Sequence, residues 1–434
     1  MPKTNNLKVG TDIAYSPLAY HINSILLFNH RNEEVGDIQN LVTSFSIEES
    51  INRLGLMATF AIKDVVNMME DFELCGQERI EVSLSRQEHE DGESTEINLT
   101  FIPIEYPLYT RGSEISAQAY EIKAVSPHIY FGQLKTLSRA FNDTTEKEIH
   151  RILREDLNLE NVLQRGETIS RKQGIYRIKS PLDHLKWLAN QSYDAQFYPF
   201  FLYATLHNDI RLDSLQEMLS QDIYREYTRG SFYTKDPNSA DMYQQKATRI
   251  LEIISNLRVG KLDKAMAGAF GAERNFIDLS TKNQLRNSFK YSDLREERPL
   301  IDTDWDRGDG KPIENSKNSI HYDFEADMQW DDLYEVPLDR ISQIRKSTIL
   351  GYKNSLHSYE HEIELCGDFN LNAGKRIVLN IPKAKDVAAD NETEPFDLHL
   401  SGEYLVTSAV HSFDKDYRTG IRVKRNHCPL TLND

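Results

Sequence analysis

A ten-residue window occurs twice in this chain, nearly 300 residues apart, and it constrains the fold more than any other feature. Asp71-Phe72-Glu73-Leu74-Cys75-Gly76-Gln77-Glu78-Arg79-Ile80 lines up without gaps on Asp368-Phe369-Asn370-Leu371-Asn372-Ala373-Gly374-Lys375-Arg376-Ile377, with five of ten positions identical. Each window runs into an alternating strand, Ile80/Val82/Leu84 and Ile377/Leu379/Ile381. An apolar residue at every second position marks a sheet with one wet face. Two related β units bracketing a different middle are therefore expected. A chain of 434 residues has room for them, since domains usually take about 100–200 residues.

The rest of the chain reads around that frame. Residues 1–130 are mostly strands, with further alternation at Ile97, Leu99 and Phe101 and again through Ala119–Val125. The character changes near residue 140. Asp143-Thr144-Thr145-Glu146 is a helix start of capping-box type, followed by Ile149, Ile152, Leu153 and Leu157 at helical spacing. Ser180-Pro181 opens a second helix, with Ser as N-cap, Pro at the first helical position, and an apolar stripe of Leu182, Leu185, Trp187, Leu188 and Ala189. Residues 131–235 thus form a mixed α/β region with helices near 144–158 and 181–192. The run Phe197–Tyr203 reads as a buried strand, and Ser214–Leu219 as a short helix. Strands resume over 236–300. Residues 346–434 return to strand patterning. Between them, 301–345 is expected to be an acidic surface excursion, because Asp302–Arg340 holds 12 Asp/Glu against 4 Lys/Arg. The expected fold class is α+β, mainly β.

Charge and composition exclude several functions. The net charge of −17 gives no basic footprint for wrapping nucleic acid and no attraction to an anionic bilayer. No run of about 18 apolar residues is present to span a membrane. The start, Met1-Pro2-Lys3-Thr4, leads into no apolar signal core. Cys75, Cys366 and Cys428 lie far apart, which fits a reducing compartment and neither a disulfide framework nor a zinc site.

A search for chemistry finds no catalytic, cofactor or metal residues to nominate. His357 and His361 are four apart, but they precede the alternation Glu362-Ile363-Glu364-Leu365, and on a strand that spacing separates them by about 13 Å. Asp302-Thr303-Asp304-Trp305-Asp306-Arg307-Gly308-Asp309 is close to a calcium loop. Its glycine comes one place late, however, and Glu314 falls at position 13 instead of 12. Ala267–Ala272 is small and flexible but lacks the Lys-Ser/Thr of a phosphate loop. No GxSxG is present. The expectation is a protein that is not an enzyme and uses no cofactor.

The last hundred residues carry a recognisable pattern. Gly367-Asp368-Phe369-Asn370-Leu371 through Gly374-Lys375-Arg376-Ile377-Val378-Leu379-Asn380-Ile381-Pro382 leads to Ser401-Gly402-Glu403-Tyr404-Leu405-Val406-Thr407-Ser408-Ala409-Val410-His411-Ser412-Phe413 and then to Tyr417–Asn426. Here Gly374 allows a tight turn, Pro382 ends a ladder, and Tyr404, Val406 and Val410 are expected on one face. Asp414-Lys415-Asp416 turns the chain. This pattern resembles the central baseplate hub proteins of contractile-tailed, T-even-like phages. Ser180–Ala189 and Val259–Lys282 match elements of the same hubs more loosely, and the former is shared with type VI secretion spike proteins.

The resemblance implies two tube-like β-barrels, one in 1–130 and one in 346–434, with the strands of 236–300 contributing to the central or second barrel region. It implies a homotrimeric ring that joins the tail tube to a trimeric tail spike and forms part of the channel for genome ejection. Its partners would be the spike, tube or tube-initiator proteins and neighbouring baseplate wedge proteins, with tape-measure protein and DNA passing through. It would reside in the virion tail after assembly in the host cytoplasm. Alternatives are the hub of a bacterial contractile injection or tailocin device and a tail-associated cell-wall hydrolase. An acidic inner wall is expected, with the 302–340 excursion facing outward.

Overall fold

Alternating side chains build the N-terminal strands. A computed structural model describes residues 19–68, 76–87, 94–105, 110–111, 118–176, 179–196, 198–230, 246–256, 271–278, 284–290, 319–325, 359–383, 396–397 and 400–425. Strands β1 (His21–Phe28), β2 (Glu34–Asp37), β3 (Val42–Ser50), β4 (Met57–Asp64), β5 (Arg79–Gln87), β6 (Ser94–Glu105), β7 (Thr110–Arg111) and β8 (Gln118–Val125) come first. In β5 the alternating Ile80, Val82 and Leu84 are all buried, as are Ile97, Leu99 and Phe101 on β6.

The middle region follows. It comprises α1 (Pro127–Leu134), β9 (Ala140–Thr144), α2 (Thr145–Arg151, continuing as a π-helical turn over Ile152–Asp156), β10 (Val162–Arg165), β11 (Arg171–Ile175), α3 (Pro181–Gln191), β12 (Phe200–Ala204), β13 (Ile210–Ser214) and α4 (Leu215–Ser220). Three of these helices start on a capping side chain. Thr144, Ser180 and Ser214 accept hydrogen bonds from the backbone N–H of Lys147, Asp183 and Gln216. Leu185, Leu188 and Ala189 of the α3 stripe are buried, while Trp187 stays partly exposed. Every residue of β12 is buried.

The later strands are β14 (Arg225–Thr228), β15 (Ile250–Asn256), β16 (Gly271–Asp278), β17 (Gln284–Lys290), β18 (Ser319–Glu325), β19 (Tyr359–Cys366), β20 (Arg376–Asn380), β21 (Gly402–Phe413) and β22 (Tyr417–Arg425). The molecule is mainly β, and one large, predominantly antiparallel sheet dominates it, in the order β15-β19-β22-β21-β3-β4-β8-β6-β5-β1-β2. Among the described residues of 236–300, β15 joins the large sheet, while β16 and β17 form a separate three-stranded sheet. The third strand of that sheet is β18, which lies inside the acidic stretch and pairs in parallel with β16. Its sequence, Ser-Ile-His-Tyr-Asp-Phe-Glu, alternates apolar and polar, a local signal that the surrounding charge obscures. The remainder of 302–340, the calcium-like loop included, lies outside the described residues.

The large sheet contains the same five-strand order twice. Taking β3, β4, β5, β6, β8 and β15, β19, β20, β21, β22 as first to fifth in each unit, both run first-second-fifth-fourth-third, with every neighbour antiparallel. The registers match as well. The first two strands slip between Val42 and Ser44 in one unit and between Ile250 and Glu252 in the other. The fourth and fifth slip between Pro103 and Glu105, and between Val406 and Ser408. Each third strand begins at the arginine of the duplicated window, Arg79 or Arg376. Residues 71–75 of the first window lie outside the described residues.

Among the described residues neither unit closes into a barrel; the pairings form an open path from β15 to β2. The units are fused by β3 and β21, which pair from Phe45↔Phe413 to Ser50↔Ser408. Phe45 and Phe413 stack across this seam with ring centroids 4.5 Å apart. One core fills the first unit together with the middle region, and a second lies in the other unit around Ile363, Ile377, Tyr404, Val406 and Val423.

Candidate functional site

The seam and the polar face beside it are the most specifically built parts of the molecule. At the seam, Glu49 of β3 is fully buried. It accepts hydrogen bonds from the backbone N–H of Leu206 (2.6 Å), from Asn372 Nδ2 (3.4 Å) and from the backbone N–H of Ala373. One carboxyl group thereby ties the first unit to the middle region and to the duplicated loop of the second. Burial pushes its pKa up to about 8, against the pull of these donors and of Arg211. From the far side, Arg86 of β5 donates to the carbonyl of Gly367.

The loop that receives Glu49 needs its glycines. Gly374 sits at φ +84°, and a Cβ there would lie 2.1 Å from Tyr203 Oη. At Gly367 an added Cβ would meet the Tyr417 ring at 2.0 Å. Asp368 accepts from Tyr224 Oη (2.8 Å) and Arg225 Nη1 (3.1 Å), which fastens the same loop to β14. β20 ends at Asn380, just before Pro382.

Val410 is a correction. Tyr404 and Val406 face the core, but the bulge at Thr407 shifts the alternation by one residue. Beyond it Ala409, His411 and Phe413 point inward, and Val410 joins Ser408 and Ser412 on the opposite face. No local sequence signal announces that bulge.

That opposite face is a shallow groove of about 450 Å³ lined by residues such as Glu48, Glu252, Glu362, Ser408, Arg418 and Arg422. The strand period places Glu360, Glu362 and Glu364 of β19 in one row against Arg418, Arg422 and Lys424 of β22. Arg418 pairs with Glu364 at 2.7 Å, Arg422 with Glu360 at 3.1 Å and Glu362 at 2.7 Å, and Lys424 with Glu360 at 3.5 Å. Glu252 adds a fourth carboxylate to this face, and Glu48 a fifth that is paired with Arg53 at 3.2 Å.

The histidine of the HxxxH spacing is accounted for by packing. His361 is buried on β19, where its Nε2 lies 2.9 Å from Tyr404 Oη, and burial lowers its pKa to about 4. His357 lies outside the described residues. His411 repeats the arrangement, fully buried with Nδ1 2.8 Å from Tyr417 Oη and its pKa lowered to about 3. Among the described residues no three His, Cys, Asp or Glu side chains are grouped to hold a metal ion. Sequence reading did not single out Glu49, although it alternates with Phe45 and Ile47 and so falls on the buried face of β3, where a lone glutamate is the departure from the pattern.

No protein-family model matches the sequence, and neither does any curated protein. Solved structures do match. A tail protein of the prophage MuSo2 from Shewanella oneidensis aligns over 94% of this chain and 99% of its own, with a TM-score of 0.53 at 12% identity. A tail protein from Neisseria meningitidis MC58 aligns over 94% and 97%, with a TM-score of 0.51 at 9% identity. The chain has the fold of phage tail proteins. A component of the type VI secretion system of E. coli also aligns, over 94% of this chain and 76% of its own, with a TM-score of 0.43 at 10% identity.

Proposed function

We propose that this chain is the structural hub of a phage tail baseplate, a homotrimeric ring that joins the tail tube to the central spike and lines part of the channel for genome ejection. The observation that carries this reading is the doubled five-strand order with its matching bulges. Two equivalent units per chain let three chains present six similar faces, so that a threefold spike can meet a sixfold tube. The two units are read as tube-like domains, one in residues 1–130 and one in 346–434 to which the 236–300 region contributes β15, with 131–235 as the mixed α/β domain between them. The likeness to tail proteins over nearly the whole chain supports the same placement in the virion.

In this reading function resides in surfaces, and the protein is not an enzyme. The ion-paired face beside the seam becomes channel wall, and the outer rims meet spike, tube and wedge proteins. Light scattering on the purified protein, alone and with its spike, tests the proposal. The expected mass is three times the 50.2 kDa of one chain. A protein that stays monomeric even with the spike, or that hydrolyses cell wall with robust turnover, overturns it.

A further inference from the structure

Resting on the trimeric reading above, we propose that Lys375 and Arg211 form an oxyanion site where the middle region meets the second unit, and that a carboxylate of the threefold spike fills it. The loop leading into β20 carries Lys375, and β21 fixes its backbone. The Gly374 N–H donates to the Val406 carbonyl at 2.8 Å, and the Val406 N–H donates to the Lys375 carbonyl at 2.9 Å. Gln221, just past α4, bridges this loop to the middle region. It donates to the Gly374 carbonyl (2.6 Å) and accepts from Arg165 Nη1 (2.9 Å). Arg165 on β10 lies opposite Asp213 on β13, and the strand period places Arg211 on the same face as that pair.

Most charges at this joint are matched one to one. Arg165 grips Asp213 through two groups, at 3.0 and 2.6 Å. Arg225 pairs with Asp368 at 3.1 Å, and Arg376 pairs with Glu403. Arg211 has only Asp209, at 3.4 Å, and its buried Nε meets no acceptor among the described residues. Lys375 Nζ makes no ion pair or hydrogen bond among them and rests 5.2 Å from the centre of the Tyr224 ring. Burial, and then the charges of Arg211 and Arg165, lower the pKa of this amine against the pull of Asp368. An incoming oxyanion supplies the missing negative charge and offers acceptors to the ammonium and the guanidinium together.

The internal duplication selects the partner. In the gapless alignment of the two windows Glu78 stands where Lys375 does, and it is buried with its carboxylate accepting from the Gly76 N–H at 2.9 Å. A satisfied anion in the first unit thus corresponds to a cation without a counter-ion in the second. The site occurs once per chain and three times per ring. A contact repeated by a sixfold tube would need it in both units, whereas a threefold spike needs it in one and can use it to tell the two kinds of unit apart.

The test is acetylation of lysines in the full chain followed by peptide mapping, with inorganic phosphate as the probe at constant ionic strength. Phosphate should slow the labelling of Lys375 several-fold and leave the exposed Lys415 unchanged. Bound spike should protect Lys375 in the same way. Lys375→Met keeps the apolar stem beside Tyr224 but removes the charge, and it should weaken spike binding by at least about tenfold, while Lys375→Arg restores most of the loss. No effect of phosphate on Lys375 overturns the site. Protection by phosphate, with spike binding unchanged in Lys375→Met, overturns the assignment to the spike and leaves the hub reading standing. A protein that stays monomeric and binds no spike overturns both.

Discussion

Glu49 concentrates the connectivity of this molecule in one side chain, which makes its replacement informative. Glu49→Ala leaves the N–H groups of Leu206 and Ala373 buried without their acceptor. At about 1–3 kcal/mol per stranded donor, the loss should exceed about 2 kcal/mol in a denaturant titration, and Glu49→Gln should lose less because one oxygen remains. The pH dependence has a definite sign. Its folded pKa is raised from 4.5 to about 8 by burial, so its contribution is complete below about 4.5 and is lost as pH rises towards about 8. His361 and His411 act in the opposite direction. Their pKa values fall from 6.5 to about 4 and about 3, so their contribution is complete above about 6.5 and is lost as pH falls through those values. The Glu49→Gln protein should therefore show a flatter unfolding midpoint between about pH 5 and 8 than the parent; identical slopes would dissociate the pH response from this residue. Gly374→Ala combines a left-handed backbone with a collision against Tyr203 Oη, and thermal unfolding should register a cost above about 2 kcal/mol.

At the scale of elements, local chemistry was legible and long-range pairing was not. Thr144, Ser180-Pro181 and Ser214 announce helices in the sequence, and helices begin there. Ser126-Pro127 carries the same signature as Ser180-Pro181 and opens α1, yet the alternation running up to Val125 drew attention to the strand instead. The Ser126 side chain also does a different job, accepting from the N–H of Leu56 at 2.9 Å to lock α1 onto the start of β4. Ser126→Ala should cost about 1–2 kcal/mol by equilibrium unfolding, and a loss below the detection limit would show that water replaces the hydroxyl. The parallel pairs β10–β13 and β14–β20 have partners 48 or more residues away, and nothing local specifies them. Bulges are similarly silent. They reverse which face a residue takes, as Val410 shows, but leave composition and period otherwise unchanged. A ten-residue repeat was visible; the five-strand order it belongs to required the registers.

For the whole molecule, the argument turns on how charge is arranged across the sheet. If the chain forms the proposed hub, a ring through which DNA slides must not grip it, because each phosphate neutralised by a cation releases counterions and tightens binding. On the face of β19 and β22, all three cations, Arg418, Arg422 and Lys424, are already held by Glu360, Glu362 and Glu364, and Glu252 adds further negative charge. A polyanion approaching this face meets carboxylates in front of every guanidinium. The acidity of the chain as a whole, −17, has a plainer use in keeping the unassembled protein soluble, and the two roles separate by experiment. The assembled protein should show no measurable binding to duplex DNA near physiological salt. Glu362→Lys with Glu364→Lys reverses two partly exposed carboxylates, takes Glu364 from Arg418 and leaves Arg422 with Glu360 alone, which should produce binding that weakens steeply with added salt, by about 0.9 in log–log slope per phosphate contacted. If the parent binds DNA at physiological salt, or if the reversed variant assembles normally and still binds none, this face is not what keeps the channel slippery, and acidity serves solubility alone.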